Sequence, residues 1–364
     1  MISTLSDTQR EIADLATAVF ARHGAADEIT MAEERVDGFD RELWTDLAAS
    51  GLLGTPIPED HGGLGFGVIE VALVCEQLGA TVTPVPLIAT LCAAMLIAEH
   101  GSAEQRDSWL PGLADGSVVA AIAPAQSVLE ARLEDGRLSG QLLGVAWAHA
   151  ADLLLVPVGE TVVIVDPSAD GARHERGLTT AREVALDLTF DKVSAEQIGG
   201  AGTARWLRQR WFTALAATSG GVADGAVKLT ASYTSAREQF EKPLSTFQAV
   251  QLKAADAYLD ATAIRAAARQ AAWSLETERL DSAHDASLDV LTAAWWAAEA
   301  GQHAVHLTQH LHGGMGADIT YPVHRFFLWG KQIELLLGGA SALLAELGEA
   351  LESHRDAGDA VVLH

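Results

Sequence analysis

A helical pattern that begins near Ala204 is cut at Lys242-Pro243, and that cut constrains the chain more than any other feature. Pro243 has no N–H and a fixed φ, and it pushes the residue before it out of the helical region. One helix must therefore stop ahead of it, and a second amphipathic run begins at Phe247. The joint, Arg237 to Gln248, reads REQFEKPLSTFQ and carries an arginine, a glutamine and an aromatic close together. A guanidinium is planar, always charged and rich in donors, so at a helix joint it suits a phosphate or pyrophosphate, gripping two oxygens at once. A solvated arginine at a plain helical corner fits the same residues, and the joint alone does not choose between them.

Around this joint the pattern predicts helices over about 204–236, 246–275, 283–310 and 325–353, with Gly313, Gly314 and Gly316 breaking the chain between the last two. Long helices with short joints pack as an antiparallel bundle, here a four-helix bundle over 201–364. The tail 356–364 is expected to be loosely held. The texture differs before residue 200. From Ser117 to about Ile198 come short β-type runs, VVAAIA, LSGQLLGVAWA, ADLLLVPV, TVVIVD and EVALDLTFD, separated by turn residues. Leu186, Leu188 and Phe190 alternate with Asp187, Thr189 and Asp191, the period of a half-buried strand. A small antiparallel β domain over 119–200 is expected, with Asp191 as its polar strand end.

Residues 1–118 read as an all-helical domain. Ser6 is a good N-cap for a helix over 7–23, with Ile12, Leu15 and Val19 on one stripe. A second helix begins near Asp40 and ends at Gly51. The two prolines and five glycines between Gly54 and Gly67 predict an ordered loop. Helices follow over about 68–78, 88–100 and 103–110. The fold class is therefore α+β, with two helical domains flanking a β domain.

The chain has 364 residues, 49% of them hydrophobic, ample for a large core. Its formal net charge of −25 argues against nucleic acid or an anionic membrane as partner, since both are polyanions. An anionic small ligand needs local cations such as Arg237 to overcome that field. Cys75 and Cys92 lie in apolar helical runs without a CxxC pattern, which suits buried thiols in a reducing, cytoplasmic compartment. The N-terminal run is amphipathic and acidic rather than leader-like. No uninterrupted apolar stretch approaches the ~18 residues of a membrane span.

Other patterns carry less. His303, His306 and His310 share one helical face, but no carboxylate or cysteine completes a metal set at a convincing spacing, so bundle packing is the expectation and no metal is assigned. The GGLGFG run lacks the preceding strand that a dinucleotide fingerprint needs. Trp295 and Trp296 read as core or interface.

The order of these parts, with ELWTDLAASGLLGTPIPEDHGGLG, LDLTFDKV, AREQFEKPLSTFQAVQLKAAD and LHGGMGADITYPVHRFFLWGKQIELLLGG, resembles the acyl-CoA dehydrogenase family over nearly the whole chain. That resemblance implies FAD as cofactor and removal of a proton from Cα and a hydride from Cβ of an acyl-CoA thioester. By the same resemblance Arg237, Gln239 and Phe240 reach across a subunit interface to a neighbour's FAD, the arginine meeting its pyrophosphate. Leu244 and Phe247 follow in the same motif, and backbone at Gly313 and Gly314 approaches the cofactor, where a missing Cβ makes room. His310 stands where the family has glutamine, and Glu241 where it has glycine after the aromatic.

The departures are as informative. The family's base is a glutamate, and general-base catalysis needs that carboxylate within reach of the proton. Its two alternative positions fall here on Leu337 and Trp211, and Trp206–Val222 holds no Asp or Glu. The flavin-lining loop of the β domain is replaced by Ile122-Ala123-Pro124 and AQSVLE, and a further contact trio by Gly144-Val145-Ala146. This pattern, with the run from Tyr321 to Phe327, resembles the smaller, non-catalytic subunit of actinobacterial heterotetrameric dehydrogenases that oxidise steroid side-chain CoA thioesters, as in cholesterol catabolism. The expected partner is a larger catalytic dehydrogenase subunit. Two alternatives stay open: a stand-alone homotetrameric dehydrogenase using a displaced base such as Glu334 or Asp224, and a flavin-free interaction protein on the same scaffold.

Overall fold

The computed structural model describes residues 4–280 and 284–356, and the chain divides into two compact units. One comprises residues 15–71 and 83–211, the other residues 1–14, 72–82 and 212–364.

In the first unit a seven-stranded sheet carries the core. Its strands are β1 (Ala120–Ile122), β2 (Val128–Glu134), β3 (Arg137–Ala146), β4 (Leu153–Val158), β5 (Thr161–Val165), β6 (Ala172–Leu178) and β7 (Val184–Ile198), in the order β1-β4-β5-β7-β3-β2, with β6 also paired to β7. The pairing is antiparallel except for β1 and β4, which run parallel, a correction to the all-antiparallel expectation. Leu186, Leu188 and Phe190 are buried in the sheet core with Leu142, Val156 and Val163, as their alternation predicts. Asp191 does not end a strand. β7 continues through Lys192, at φ +55°, to Ile198, and so pairs with β3 and β6 early and with β5 late. Strands β2 and β6 were not expected; VLEARLE and ARHERGL are too polar to announce themselves.

Helices of this unit are α2 (Ala26–Glu34), α3 (Arg41–Ala49), α5 (Leu87–His100) and α6 (Ala103–Asp115). Asp40 caps α3 by accepting from the Leu43 amide at 3.0 Å, and Ser102 and Gln105 form a reciprocal capping box on α6. Pro111 lies inside α6, which therefore runs past its predicted end at 110. α2 is an element that the sequence pattern did not announce. The loop between α3 and α4 (Val68–Thr81) is tightly packed, since a Cβ on Gly63 would lie 2.0 Å from the Ile57 carbonyl oxygen. Among the described residues no strand precedes GGLGFG. Helix α1 (Asp7–Ala21) opens the chain with Ser6 and Gln9 capping each other, but Leu15 is 40% exposed and leaves the predicted stripe of Ile12 and Val19.

In the second unit the long helices are α7 (Thr203–Ala236), α8 (Gln248–Leu280) and α9 (Ser287–Leu311), α7 lying in it from Phe212 onward. Small buried residues, among them Ala261, Ala268, Ala294, Ala298 and Gly301, line α8 and α9, and small side chains let helices approach closely. The helix predicted over 325–353 is two helices, α10 (Val323–Leu336) and α11 (Ala340–Asp356). Gly338 and Gly339, both at φ +88°, make the break, a conformation that side-chain-bearing residues adopt only at a cost. Glu76, Asp224, Arg265 and Arg269 form an ion-pair network joining α4, α7 and α8, with Arg269 to Glu76 at 3.2 Å and Arg265 to Asp224 at 3.4 Å. Trp295 and Trp296 are half-buried and meet edge to face at 5.2 Å. The tail beyond Asp356 and the predicted start of α9 at residue 283 lie outside the described residues.

Candidate functional site

At the end of α7 the chain makes a tight hairpin. The Arg237 amide closes the helix on the Tyr233 carbonyl at 2.8 Å, and the Leu244 amide returns to the Arg237 carbonyl at 2.9 Å. Between them β8 (Glu238–Gln239) and β9 (Lys242–Pro243) pair across Phe240 and Glu241. A short 3-10 turn, Leu244–Thr246, leads to Phe247 and α8. The Lys242 ammonium sits 4.4 Å over the Phe247 ring, which also meets Phe240 edge-on at 6.3 Å. Pro243 thus separates two helices as predicted, through a hairpin rather than a plain corner.

The end of α9 forms the facing wall. His312 donates from Nδ1 to the Thr308 carbonyl at 2.8 Å and stacks on Tyr233 at 4.4 Å. Burial pushes its pKa down, and its buried Nε2 has no hydrogen-bond partner among the described residues. Gly313 turns the chain at φ +59° into the 3-10 turn Gly313–Ala317, which the Gln309 side chain fastens by donating to the Gly316 carbonyl at 2.9 Å.

These two walls enclose an open cavity of about 540 Å³. Arg237, Gln239, Leu244, His310, Gly313 and Gly314 line it, together with Tyr233, Val250 and His312. Six of the eight residues expected around a cofactor therefore meet in one place, although 66 residues or more of sequence separate the two groups (Leu244 to His310). Phe240 and Phe247 do not line the cavity; Phe240 is 86% exposed at the hairpin tip. Tyr233 and His312 escaped the sequence reading, although Tyr233 lies one turn before Arg237 and His312 opens the HGG run.

The cavity is chemically suited to a dinucleotide phosphate. Among the described residues no Asp or Glu lines it, in a chain of net charge −25. The Arg237 guanidinium makes no ion pair among the described residues, and open space surrounds the positions where Gly313 and Gly314 lack a Cβ. A guanidinium with no ion pair among the described residues, beside two glycines that leave room for close approach, suits a pyrophosphate.

Leucine and tryptophan stand at the two positions expected for a base. Leu337 is 2% exposed at the end of α10. The Trp211 indole nitrogen is buried without a hydrogen-bond partner among the described residues. The neighbouring acids are occupied: Glu334 by Lys331 at 2.7 Å, Asp224 by Lys228 at 2.7 Å and by Arg265. Of the three histidines on α9, His303 pairs with Asp260 at 2.7 Å, His306 packs edge-on against Phe327, and His310 faces the cavity. Among the described residues no helix is long and apolar enough to cross a membrane.

Residues 6–117 match the acyl-CoA dehydrogenase N-terminal domain and residues 208–351 the C-terminal domain. The chain belongs to the acyl-CoA dehydrogenase family. Among curated relatives, two from Mycobacterium tuberculosis, FadE27 and FadE28, are each 36% identical, covering 89% of this chain and 91% and 96% of theirs. Among solved structures, a variant of the Tcur3481-Tcur3483 steroid acyl-CoA dehydrogenase is 42% identical at a TM-score of 0.90, covering 97% of this chain and 100% of that one. The ChsE4-ChsE5 complex from Mycobacterium tuberculosis is 31% identical at a TM-score of 0.89, covering 97% and 99%.

Proposed function

We propose that this acyl-CoA dehydrogenase chain is the non-catalytic subunit of a heteromeric, FAD-dependent enzyme. It introduces an α,β double bond into an acyl-CoA thioester together with a larger partner, which carries the glutamate base and the flavin ring. The observation that carries this reading is the combination within one unit of an acid-free, arginine-lined cavity with a buried leucine at the base position. The chain retains what grips a phosphate and lacks what abstracts a proton.

Arg237 holds the pyrophosphate by paired, charge-assisted hydrogen bonds. Gln239 and His310 supply polar contacts beside it, and Gly313 and Gly314 let backbone amides come close. Leu244 and Val250 offer the apolar wall, and Phe240 and Phe247 extend toward the partner from the hairpin. FAD, when bound, supplies the hydride acceptor. A steroid side-chain CoA thioester is the substrate class, which the similarity to a steroid acyl-CoA dehydrogenase supports. The complex has two copies of each chain and works in the cytoplasm.

The chain expressed alone is expected to be colourless and unable to form enoyl-CoA, and to gain both colour and activity only with the larger subunit co-expressed. Arg237→Ala in that complex should weaken FAD retention roughly 10–100-fold, the loss of a charge-assisted contact. The visible absorbance of the dialysed complex reads this out directly. Unchanged FAD content removes the pyrophosphate assignment, and dehydrogenation by the isolated chain removes the subunit reading.

A further inference from the structure

Gln239 and Lys242 are paired, so only Phe240 and Glu241 link the two hairpin strands. A two-residue link of this kind takes the mirror-image turn, with positive φ at both positions, which Asn-Gly satisfies best. Here Phe240 is at φ +54° and Glu241 at +65°. Both are strained for residues with a Cβ. Nothing inside the chain compensates Glu241: it is exposed and makes no hydrogen bond or ion pair among the described residues. Among the described residues the Phe240 ring meets only Phe247, edge to face. Glycine would adopt this backbone without strain, and the chain carries glutamate there instead.

We infer that Glu241 is a specificity determinant for pairing with a chain of different sequence, its carboxylate meeting a Lys or Arg on the partner beside an apolar slot for Phe240. The inference rests on the subunit reading above. Charge complementarity selects the occupant. A second copy of this chain carries a formal charge of −25 and repels an acidic tip, whereas a receiving surface with a local cation attracts it. The nearest cation of the chain itself, Lys242, is already placed over the Phe247 ring. Specificity of this kind needs repulsion from the wrong partner as well as attraction to the right one.

The test uses this chain and the larger acyl-CoA dehydrogenase subunit of the proposed complex, with binding measured by calorimetry at low and high salt. Glu241→Gln should weaken the complex about tenfold at low salt, and Glu241→Lys more, with the difference shrinking at high salt. Glu241→Gly should raise the midpoint of thermal unfolding of the isolated chain by roughly 2–4 °C, since strain is relieved, while weakening the complex as Glu241→Gln does. Wild-type-like affinity in Glu241→Gln and Glu241→Lys, with the complex intact, overturns the inference and leaves the subunit reading standing. A chain that does not bind the larger subunit and instead self-assembles with FAD overturns both.

Discussion

Within the second unit α4 and α7 meet backbone to backbone, and replacing Gly221 by alanine tests that contact. A Cβ on Gly221 would lie 1.9 Å from the Glu76 carbonyl oxygen, and one on Gly79 would lie 2.0 Å from the Thr218 carbonyl oxygen. Both obstacles are main chain, so no side chain can swing aside. To reach even the 3.0 Å limit of real Cβ contacts, the helices must part by roughly 1 Å along their whole crossing. Overpacking of this kind costs about 3 kcal/mol or more, against about 1 kcal/mol gained from alanine's better helix propensity. The net loss of about 2 kcal/mol corresponds to a fall of roughly 4–8 °C in the unfolding midpoint for a unit of this size. The control is Gly348→Ala in α11, where a Cβ meets nothing within 4 Å and the same propensity term should stabilise. Thermal unfolding followed by circular dichroism compares the two. A Gly221→Ala variant as stable as Gly348→Ala would refute the close crossing of α4 and α7.

Two further outcomes follow from buried and charged groups. His61 lies within 2.8 Å of Asp60 and 3.1 Å of Asp107, and these carboxylates, Asp60 foremost, raise its pKa. A raised histidine stabilises the fold fully below its unfolded value of about 6.5, and that stabilisation fades as pH rises through the folded value. His61→Gln should therefore lower the unfolding midpoint at about pH 5.5 and leave it unchanged near pH 9; equal loss at both would contradict the assignment. Cys75 is fully buried and its thiol is pushed up to about 12, and Cys92 is also buried. Because the thiolate is the reactive form, a chromogenic disulfide reagent should titrate neither thiol until denaturant is added.

Local physical chemistry made much of this molecule readable from residue order alone. Pro243 had to divide two helices, Ser6 had to cap, and the alternation through Leu188 had to bury one face, because each rule acts over a few neighbouring residues. That leucine and tryptophan stand at 337 and 211, the positions expected for a base, is likewise a matter of residue type. Other features depended on contacts between distant segments. Ladder partners decided that ARHERGL and VLEARLE are strands and that β1 runs parallel to β4, since polar strands carry little periodic signal. Two consecutive glycines were needed to split α10 from α11, but their left-handed geometry is a property of the folded backbone. Gathering Arg237 with Gly313 and Gly314, and adding Tyr233 and His312 to them, required α7 and α9 to end side by side; a cavity is a relation between elements, and no single stretch of chain contains it.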